Sequence, residues 1–411
     1  MLASAGIVGP VSAPAAARPV AGAARQGFPY ALLALAWLTA FSSRSNTISV
    51  GPVLPLIQRD LGMSYAQAGF LFAIPVLMMG LFSIPSGLII ARLGVKPVLV
   101  LSLILLGVGG GLRATASGGG ALFLYTALLG AGIGLVQPAL PRLIKDRFTR
   151  NTGVMTGIYS NGFAVGATTA AALAVPVLVP FSGRLSWRGP FIVWAAIVIA
   201  TSAAWLLVPG GSSRGGESLA PFARIFRSRI CWLASGIFLT QSLLFYILNS
   251  WLTSYYQSLG FPLATAASTV ALLSAASIVF GFLGPALSDH AGRRPPFIVA
   301  ACGSILGVAG LILWPSQVYW LWPLLIGSST SVLFTTGFVI PVDVARADEV
   351  GAFTGLMLTV GFGGVAVGPP LVGFLWDVTG TNLYGLLVML AIAFGQLWLT
   401  LLMPETSPRH R

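Results

Sequence analysis

The sequence predicts an all-α, polytopic membrane protein with twelve transmembrane helices in two pseudo-symmetric six-helix halves. Three observations predict it. First, 56% of the 411 residues are hydrophobic and only 8% are charged, whereas a soluble globular domain carries about 25% charged residues. Second, apolar runs of more than about 18 residues, long enough to cross a bilayer, recur along almost the whole chain. Third, two markers repeat at one spacing: Gly94 and Gly292 are 198 residues apart, and so are the pairs Thr156-Gly157 and Thr354-Gly355. A shared offset is the mark of an internal duplication. The same composition excludes a soluble enzyme, a disordered chain and a nucleic-acid-binding protein. Cys231 and Cys302 lie singly in apolar stretches, which offer no disulfide framework and no metal-ligand spacing, so neither metal nor cofactor is expected.

Residues 1–27 are rich in Ala, Pro and Gly, with Arg18 and Arg25 placed late and Pro10, Pro14 and Pro19 interrupting. That is the reverse of a secretory signal and reads as a disordered cytoplasmic tail. Six apolar spans follow, at 28–57, 65–91, 96–116, 121–145, 152–180 and 188–208, and make the first half, 28–208. The one long polar connection, 209–229, is rich in Gly and Ser, then basic, and reads as a cytoplasmic linker. The second half, 230–404, holds spans at 230–257, 264–288, 296–314, 318–345, 350–376 and 382–403, and 405–411 form a short tail. The net charge is +13. With the N-terminus cytoplasmic, seventeen basic residues fall in inner segments and four (Arg59, Arg113, Arg184 and Arg188) in outer ones. This is the positive-inside pattern. The charge therefore reports orientation, with both termini cytoplasmic in an inner membrane, and gives no reason to expect nucleic acid.

Arg44 is the most informative residue. If the first span enters the membrane near Tyr30, Arg44 lies about 21 Å further along the helix at 1.5 Å per residue. That is deep in a hydrocarbon core about 30 Å thick, where a lone arginine is costly and is expected to face a wet cavity or a partner. No acidic residue in the first six spans lies at comparable depth. A planar guanidinium without a carboxylate invites an anionic solute. The alternative is an arginine that caps the carbonyls of a helix broken near Gly51 and Pro52. Helical spacing brings Trp37, Phe41, Thr47, Ile48 and Gly51 to the side of Arg44. Span 7 carries a polar stripe, Ser242, Tyr246, Asn249, Thr253 and Tyr256, at steps of three and four. By the duplication it is the counterpart of span 1, so Tyr246 and Asn249 are expected across a central cavity from Arg44, unless the stripe serves only helix packing. Gln137, Tyr159 and Asn161 are lesser candidates. Gly153/Gly157 and Gly162/Gly166 read as close-packing points, and Trp194, Trp205, Trp314, Trp320 and Trp322 as an interfacial belt.

Two loops echo each other. Ala91-Arg92-Leu93-Gly94-Val95-Lys96 joins spans 2 and 3, and Asp289-His290-Ala291-Gly292-Arg293-Arg294 joins spans 8 and 9. Two six-helix repeats, a basic central linker and these loops resemble the major facilitator superfamily over residues 28 to 404. Pro285 stands where the family usually has glycine, and Ala91 replaces its usual aspartate. The resemblance implies that the loops latch the halves on the cytoplasmic side without touching substrate. Arg92, Lys96, Asp289, Arg293 and Arg294 are thus gating candidates. Asp343 and Arg346 join them as an expected cytoplasmic ion pair. Charges at helix ends can pair with helix termini and with each other, and so bias a rocking motion; the other reading is that they only set topology.

The stretch Arg44-Ser45-Asn46-Thr47-Ile48-Ser49-Val50-Gly51-Pro52 resembles helix 1 of the cyanate/nitroimidazole branch of the superfamily. There the sequence reads Asn-x-Arg-Pro-x-x-Thr-Ser-Val-Gly-Pro. Arg44, Ser49, Val50, Gly51 and Pro52 match, while Ser42, Ser45 and Ile48 depart from it. Ala73-Ile74-Pro75-Val76 with Met79-Gly80 match in span 2. Gly132-Ile133-Gly134, Gln137, Pro138, Pro141, Ile144, Lys145 and Phe148 match in span 4. The resemblance implies a transporter of a small solute, expected to act as a monomer. Combined with Arg44 it suggests an anion. Multidrug or aromatic-compound efflux is the alternative, although such a cavity often holds a buried carboxylate. Nitrate carriers hold their anion with arginines in helices 2 and 8, and spans 2 and 8 have no central arginine. No Ser/His/Asp set or metal cluster suggests an enzyme, and no signalling segment suggests a receptor. Most acids lie in loops or tails, Asp377 sits at a span end and His290 and His410 lie at the cytoplasmic surface, so no proton-coupling group is legible.

Overall fold

The computed structural model describes residues 29–148, 152–208, 222–346 and 349–407. The expected tail 1–27 and most of the linker 209–229 lie outside these residues. Among the described residues, twelve helical spans follow in chain order. The first half comprises α1 (Pro29–Ile48, continued by Val50–Leu61), α2 (Tyr65–Leu93), α3 (Val95–Leu112), α4 (Gly119–Arg147), α5 (Thr152–Leu173) and α6 (Arg188–Leu207). The second comprises α7 (Arg229–Ser258), α8 (Leu263–Ala291), α9 (Arg294–Leu313), α10 (Leu321–Gly337), α11 (Val350–Val365, continued by Gly368–Thr379) and α12 (Leu383–Leu402). The elements agree with the expected spans to within a few residues once the short helical continuations of α5 to Phe181 and of α10 to Val344 are counted. Eleven spans are long and apolar enough to cross a membrane. The exception is α1, whose run Ser42-Ser43-Arg44-Ser45-Asn46-Thr47 lowers its hydropathy.

The duplication shows in the packing. Within the first half α1 packs on α5, α2 on α4 and α3 on α6, and within the second α7 packs on α11, α8 on α10 and α9 on α12. Between the halves α2 meets α11, α5 meets α8 and α7 meets α1. In lipid there is no hydrophobic drive between helices, so close approach at small residues holds them together. A Cβ on Gly162 would stand 2.5 Å from the Trp37 carbonyl oxygen, and one on Gly166 would strike the Phe41 carbonyl, so α5 fits α1 at glycine in both places. Gly157 differs from the expectation, since a Cβ there would make only ordinary contact with Phe282 at 3.5 Å. Gly153 carries no described side-chain environment.

Two of the expected belt tryptophans are core residues. Trp205 is buried and its Nε1 donates to Thr39 Oγ1 at 2.9 Å, and Trp194 is buried against Phe41. Their position near span ends suggested the interface, but helix rotation turns them inward. Trp314 and Trp320 remain exposed, as expected.

α1 is broken at Ser49. Pro52 has no N–H to return to the Ile48 carbonyl, which opens the hydrogen-bond ladder at that turn. The Ser49 hydroxyl donates to the Asn46 carbonyl at 3.2 Å, just before that opening. The break lets the second segment of α1 lean on α7, where the Gly51 position leaves no room for a side chain beside the Asn249 carbonyl.

Candidate transport site between the two halves

The side chain of Arg44 leaves α1 toward α7. Its NH1 donates to the Tyr246 hydroxyl at 2.9 Å, across the boundary between the halves. The guanidinium carbon lies 5.6 Å from the ring centres of both Phe245 and Tyr246, within range of a cation–π attraction. Arg44 forms no ion pair among the described residues. The site thus presents a partly buried cation held by one neutral hydroxyl and two aromatic rings, with guanidinium donors left for a further acceptor.

The remaining candidates divide. Trp37 stacks on Phe41 at 5.3 Å, and Phe41 meets Trp194 edge-on, so this pair packs toward α6, whereas Arg44 turns to α7. Thr47 is buried and donates back to the Ser43 carbonyl within its own helix. Asn249 donates to the Phe245 carbonyl, and its Oδ1 has no donor among the described residues. Tyr159 is buried beside Phe163, while Gln137 and Asn161 are half-buried. The stripe on α7 does not serve one partner throughout. Tyr246 meets the first half, whereas the Tyr256 hydroxyl donates to the Tyr319 carbonyl of its own half at 3.0 Å.

A second buried arginine was counted with the outer loops in the sequence. Arg113 follows α3 and is 1% exposed. Its NH2 donates to both the backbone carbonyl and the side-chain oxygen of Asn46, each at 2.6 Å. Its guanidinium lies 4.2 Å from the centre of the Phe191 ring. An arginine does bond a carbonyl at the α1 break, as the alternative reading of Arg44 required, but it is Arg113. The signal available in the sequence was that Arg113 falls inside the expected span 96–116.

The two ends of the bundle hold the other charges. At one end Asp377, in the last turn of α11, accepts from the backbone N–H groups of Tyr65 and Ala66 at 2.9 and 2.8 Å. These are first-turn donors of α2, in the other half. Ser64 and Gln67 complete a capping box there, and Trp376 stacks on Tyr65 at 4.3 Å. At the opposite end the gating candidates bond within their own halves. Lys96 donates to the carbonyls of Leu206 and Val208 at the end of α6. Arg294 donates to the Leu401 carbonyl of α12 at 2.8 Å. Arg92 is exposed at the end of α2. Asp343 does not pair with Arg346 as expected: Arg293 Nε donates to it at 2.8 Å, and Arg293 NH1 reaches Asp289 at 2.5 Å. The reason is the turn after residue 344, which leaves Arg346 exposed and brings Asp343 under the α8–α9 loop. Burial works against the charge on Arg293, but the carboxylates of Asp343 and Asp289 outweigh it and raise its pKa. Glu405, just after α12, accepts from the backbone N–H groups of Arg293 and Arg294.

Residues 36–369 match the family model of the Major Facilitator Superfamily. The chain is similar to the cyanate transport protein CynX of Escherichia coli (strain K12), at 27% identity over 84% of this chain and 90% of that protein. It is also similar to the 2-nitroimidazole transporter of the same organism, at 28% identity over 85% of this chain and 89% of that protein. Among solved structures it resembles a bacterial homologue of the human lysosomal transporter Spinster, in an inward-facing and unoccupied conformation. The TM-score is 0.73 at 18% identity, covering 92% of this chain and 95% of that one. The twelve-helix fold, its internal duplication and these matches agree: the chain is a multi-pass membrane transporter, not an enzyme, and it belongs to the major facilitator superfamily.

Proposed function

We propose that the chain moves a small anion across the inner membrane by alternating access, with Arg44 as the residue that holds the charge. The observation that carries this reading is the environment of Arg44: a deep guanidinium, shared across the half boundary with Tyr246 and left without a carboxylate among the described residues. A buried cation of this kind lowers the cost of bringing an anion out of water, and its planar fork suits a carboxylate or a small linear anion. The name of CynX, a cyanate transporter, supports that solute class. Tyr246 and Asn249 from α7, with Trp37, Phe41, Thr47, Gln137, Tyr159 and Asn161 from the first half, complete the proposed substrate set.

The positive-inside count orients both termini to the cytoplasm, which makes the end tied by Asp377 the outer one. In that orientation, an outer end tied across the halves is what an inward-facing state requires. Arg92, Lys96, Asp289, Arg293, Arg294, Asp343 and Arg346 then lie on the cytoplasmic side; Lys96, Asp289, Arg293, Arg294 and Asp343 bond inside their own half, and the latch proposed for this group belongs to the opposite state. The protein is expected to work as a monomer.

A second reading, transport of planar aromatic compounds, is favoured by the two rings that flank Arg44 and by the 2-nitroimidazole relative. Uptake by purified protein in proteoliposomes separates the two. Labelled cyanate, acetate and benzoate are set against 2-nitroimidazole. Under the anion reading, Arg44→Ala loses about 1.5–3 kcal/mol of binding, roughly ten- to hundredfold in affinity, and Tyr246→Phe loses about 1 kcal/mol. Transport of 2-nitroimidazole alone, unaffected by Arg44→Ala, would replace the anion reading with the aromatic one.

A further inference from the structure

Arg113 and Arg44 take opposite faces of α1. Two residues apart in a helix is about 200°, so the side chain of Asn46 points away from that of Arg44. Arg44 reaches forward to α7, and Asn46 reaches back to α3. There Gly110 gives it room: a Cβ at that position would collide with the Asn46 amide. Arg113 then closes on Asn46 from the end of α3, with one nitrogen bonded to two oxygens of the same residue.

This arrangement is expensive for a purely structural contact. Arg113 is fully buried, forms no ion pair among the described residues, and its Nε and NH1 meet no acceptor there. Buried charge of this kind is tolerated where it serves a site, since apolar residues of equal volume are often as stabilising or more so. What the contact does is specific. It adds a charged donor to the Asn46 carbonyl, which also accepts from the Ser49 hydroxyl at the break, and it grips the side chain of the same residue, so α1 is held there at one place and one rotation. Arg44 sits half a turn before Asn46, and Gly51, pressed on the Asn249 carbonyl, little more than a turn after it.

We propose that Arg113 is a positioning residue of the transport site: through Asn46 it fixes the break and rotation of α1 that present Arg44 to Tyr246. The proposal rests on the reading of Arg44 as the substrate-binding residue. Its test uses the full chain and reads the Arg44–Tyr246 bond itself. 3-Fluorotyrosine introduced at residue 246 alone supplies a fluorine resonance sensitive to the hydrogen bond its hydroxyl receives, and Arg44→Ala sets the position of the unbonded ring.

Arg113→Met fills the same volume without charge or donors. It is expected to keep or raise the unfolding temperature, and nevertheless to move the residue-246 resonance toward the Arg44→Ala position. Arg113→Lys, which keeps one donor for Asn46, is expected to fall between. A folded Arg113→Met protein with the parent resonance overturns the proposal and leaves Arg113 a packing residue. Should Arg113→Met not fold, the Lys variant decides, and a parent resonance there overturns the proposal equally. Failure of the underlying reading looks different: the resonances would move as expected while Arg44→Ala took up cyanate, acetate and benzoate like the parent.

Discussion

The two ends of the bundle are held by polar contacts of different reach. At the α2/α11 end a carboxylate of one half caps a helix of the other, with Asp377 bonded to two first-turn N–H groups of α2. At the opposite end Lys96, Arg293, Arg294 and Glu405 bond to helix ends and loops of their own half. In a transporter that rocks two rigid halves, contacts inside a half survive the motion and contacts between halves do not. The first kind therefore sets stability and the second sets the balance of states.

That division is broken or sharpened by four measurements. The largest effect belongs to Arg293→Ala. It strips the ion-pair partner from Asp343, whose side chain is only 10% exposed, and breaking a buried pair typically costs about 3–5 kcal/mol. Thermal unfolding of the purified protein should show the loss. Labelling of a cysteine at Ser254, buried near the tied end of α7, should stay at the parent rate in the folded fraction. A large change in labelling would mean that the ends are coupled and that the comparison fails.

Next comes Gly69→Val. A Cβ at residue 69 would already stand 2.6 Å from the Pro369 carbonyl across the half boundary. Overpacking of about 1–3 kcal/mol would be relieved by separating α2 from α11, a shift of roughly five- to hundredfold in the ratio of states. Labelling at residue 254 should accelerate. An unchanged rate with an unchanged unfolding temperature would place the hinge elsewhere.

Asp377→Asn comes third. It keeps an acceptor and removes the charge that faces the positive end of α2, a contribution of about 0.5–1 kcal/mol at an exposed position. Distances between spin labels on α2 and α11 should show a several-fold gain of the open population at that end. A distribution identical to the parent's would reduce the contact to a cap without influence on state.

The smallest effect concerns Glu405. Burial opposes its charge, but backbone N–H groups from Arg293, Ser407 and Arg294 overcome it and hold its pKa below the ordinary value of 4.5. A depressed carboxylate contributes stability that is fully present above pH 4.5 and is lost as pH falls through its folded value. Amide exchange at residues 293 and 294, corrected for its intrinsic pH dependence, should rise on acidification in the parent and should not in Glu405→Gln. Equal profiles would remove the carboxylate from the account.

Much of this was legible in the sequence. Span limits followed from local hydropathy, and the place of Arg44 within the first span followed from counting residues. Matching span 7 to span 1 by the duplication set Tyr246 across the half boundary from Arg44, and the direct bond between them came only from the structure. Three of the errors share one cause. Trp194, Trp205 and Arg113 were placed by distance from a span end, which reports depth in the membrane and says nothing about rotation. Asp343 was paired with the nearest arginine in sequence, whereas its partner, Arg293, comes from a loop 50 residues earlier that the fold brings beside it.

The sequence by itself determined the number of helices, the six-plus-six duplication and the presence of a cation inside the first helical span. Each of these is a local property, because a segment enters the membrane on its own hydropathy and a charge is expensive wherever the bilayer is apolar. Only the tertiary structure decided that Arg44 turns to the other half while Arg113 braces α1 from behind, and that Asp377 reaches across the halves while Arg293 does not. Those outcomes depend on how each helix is rotated against its neighbours. Rotation is set by the close fit of glycines and small side chains contributed by distant parts of the chain.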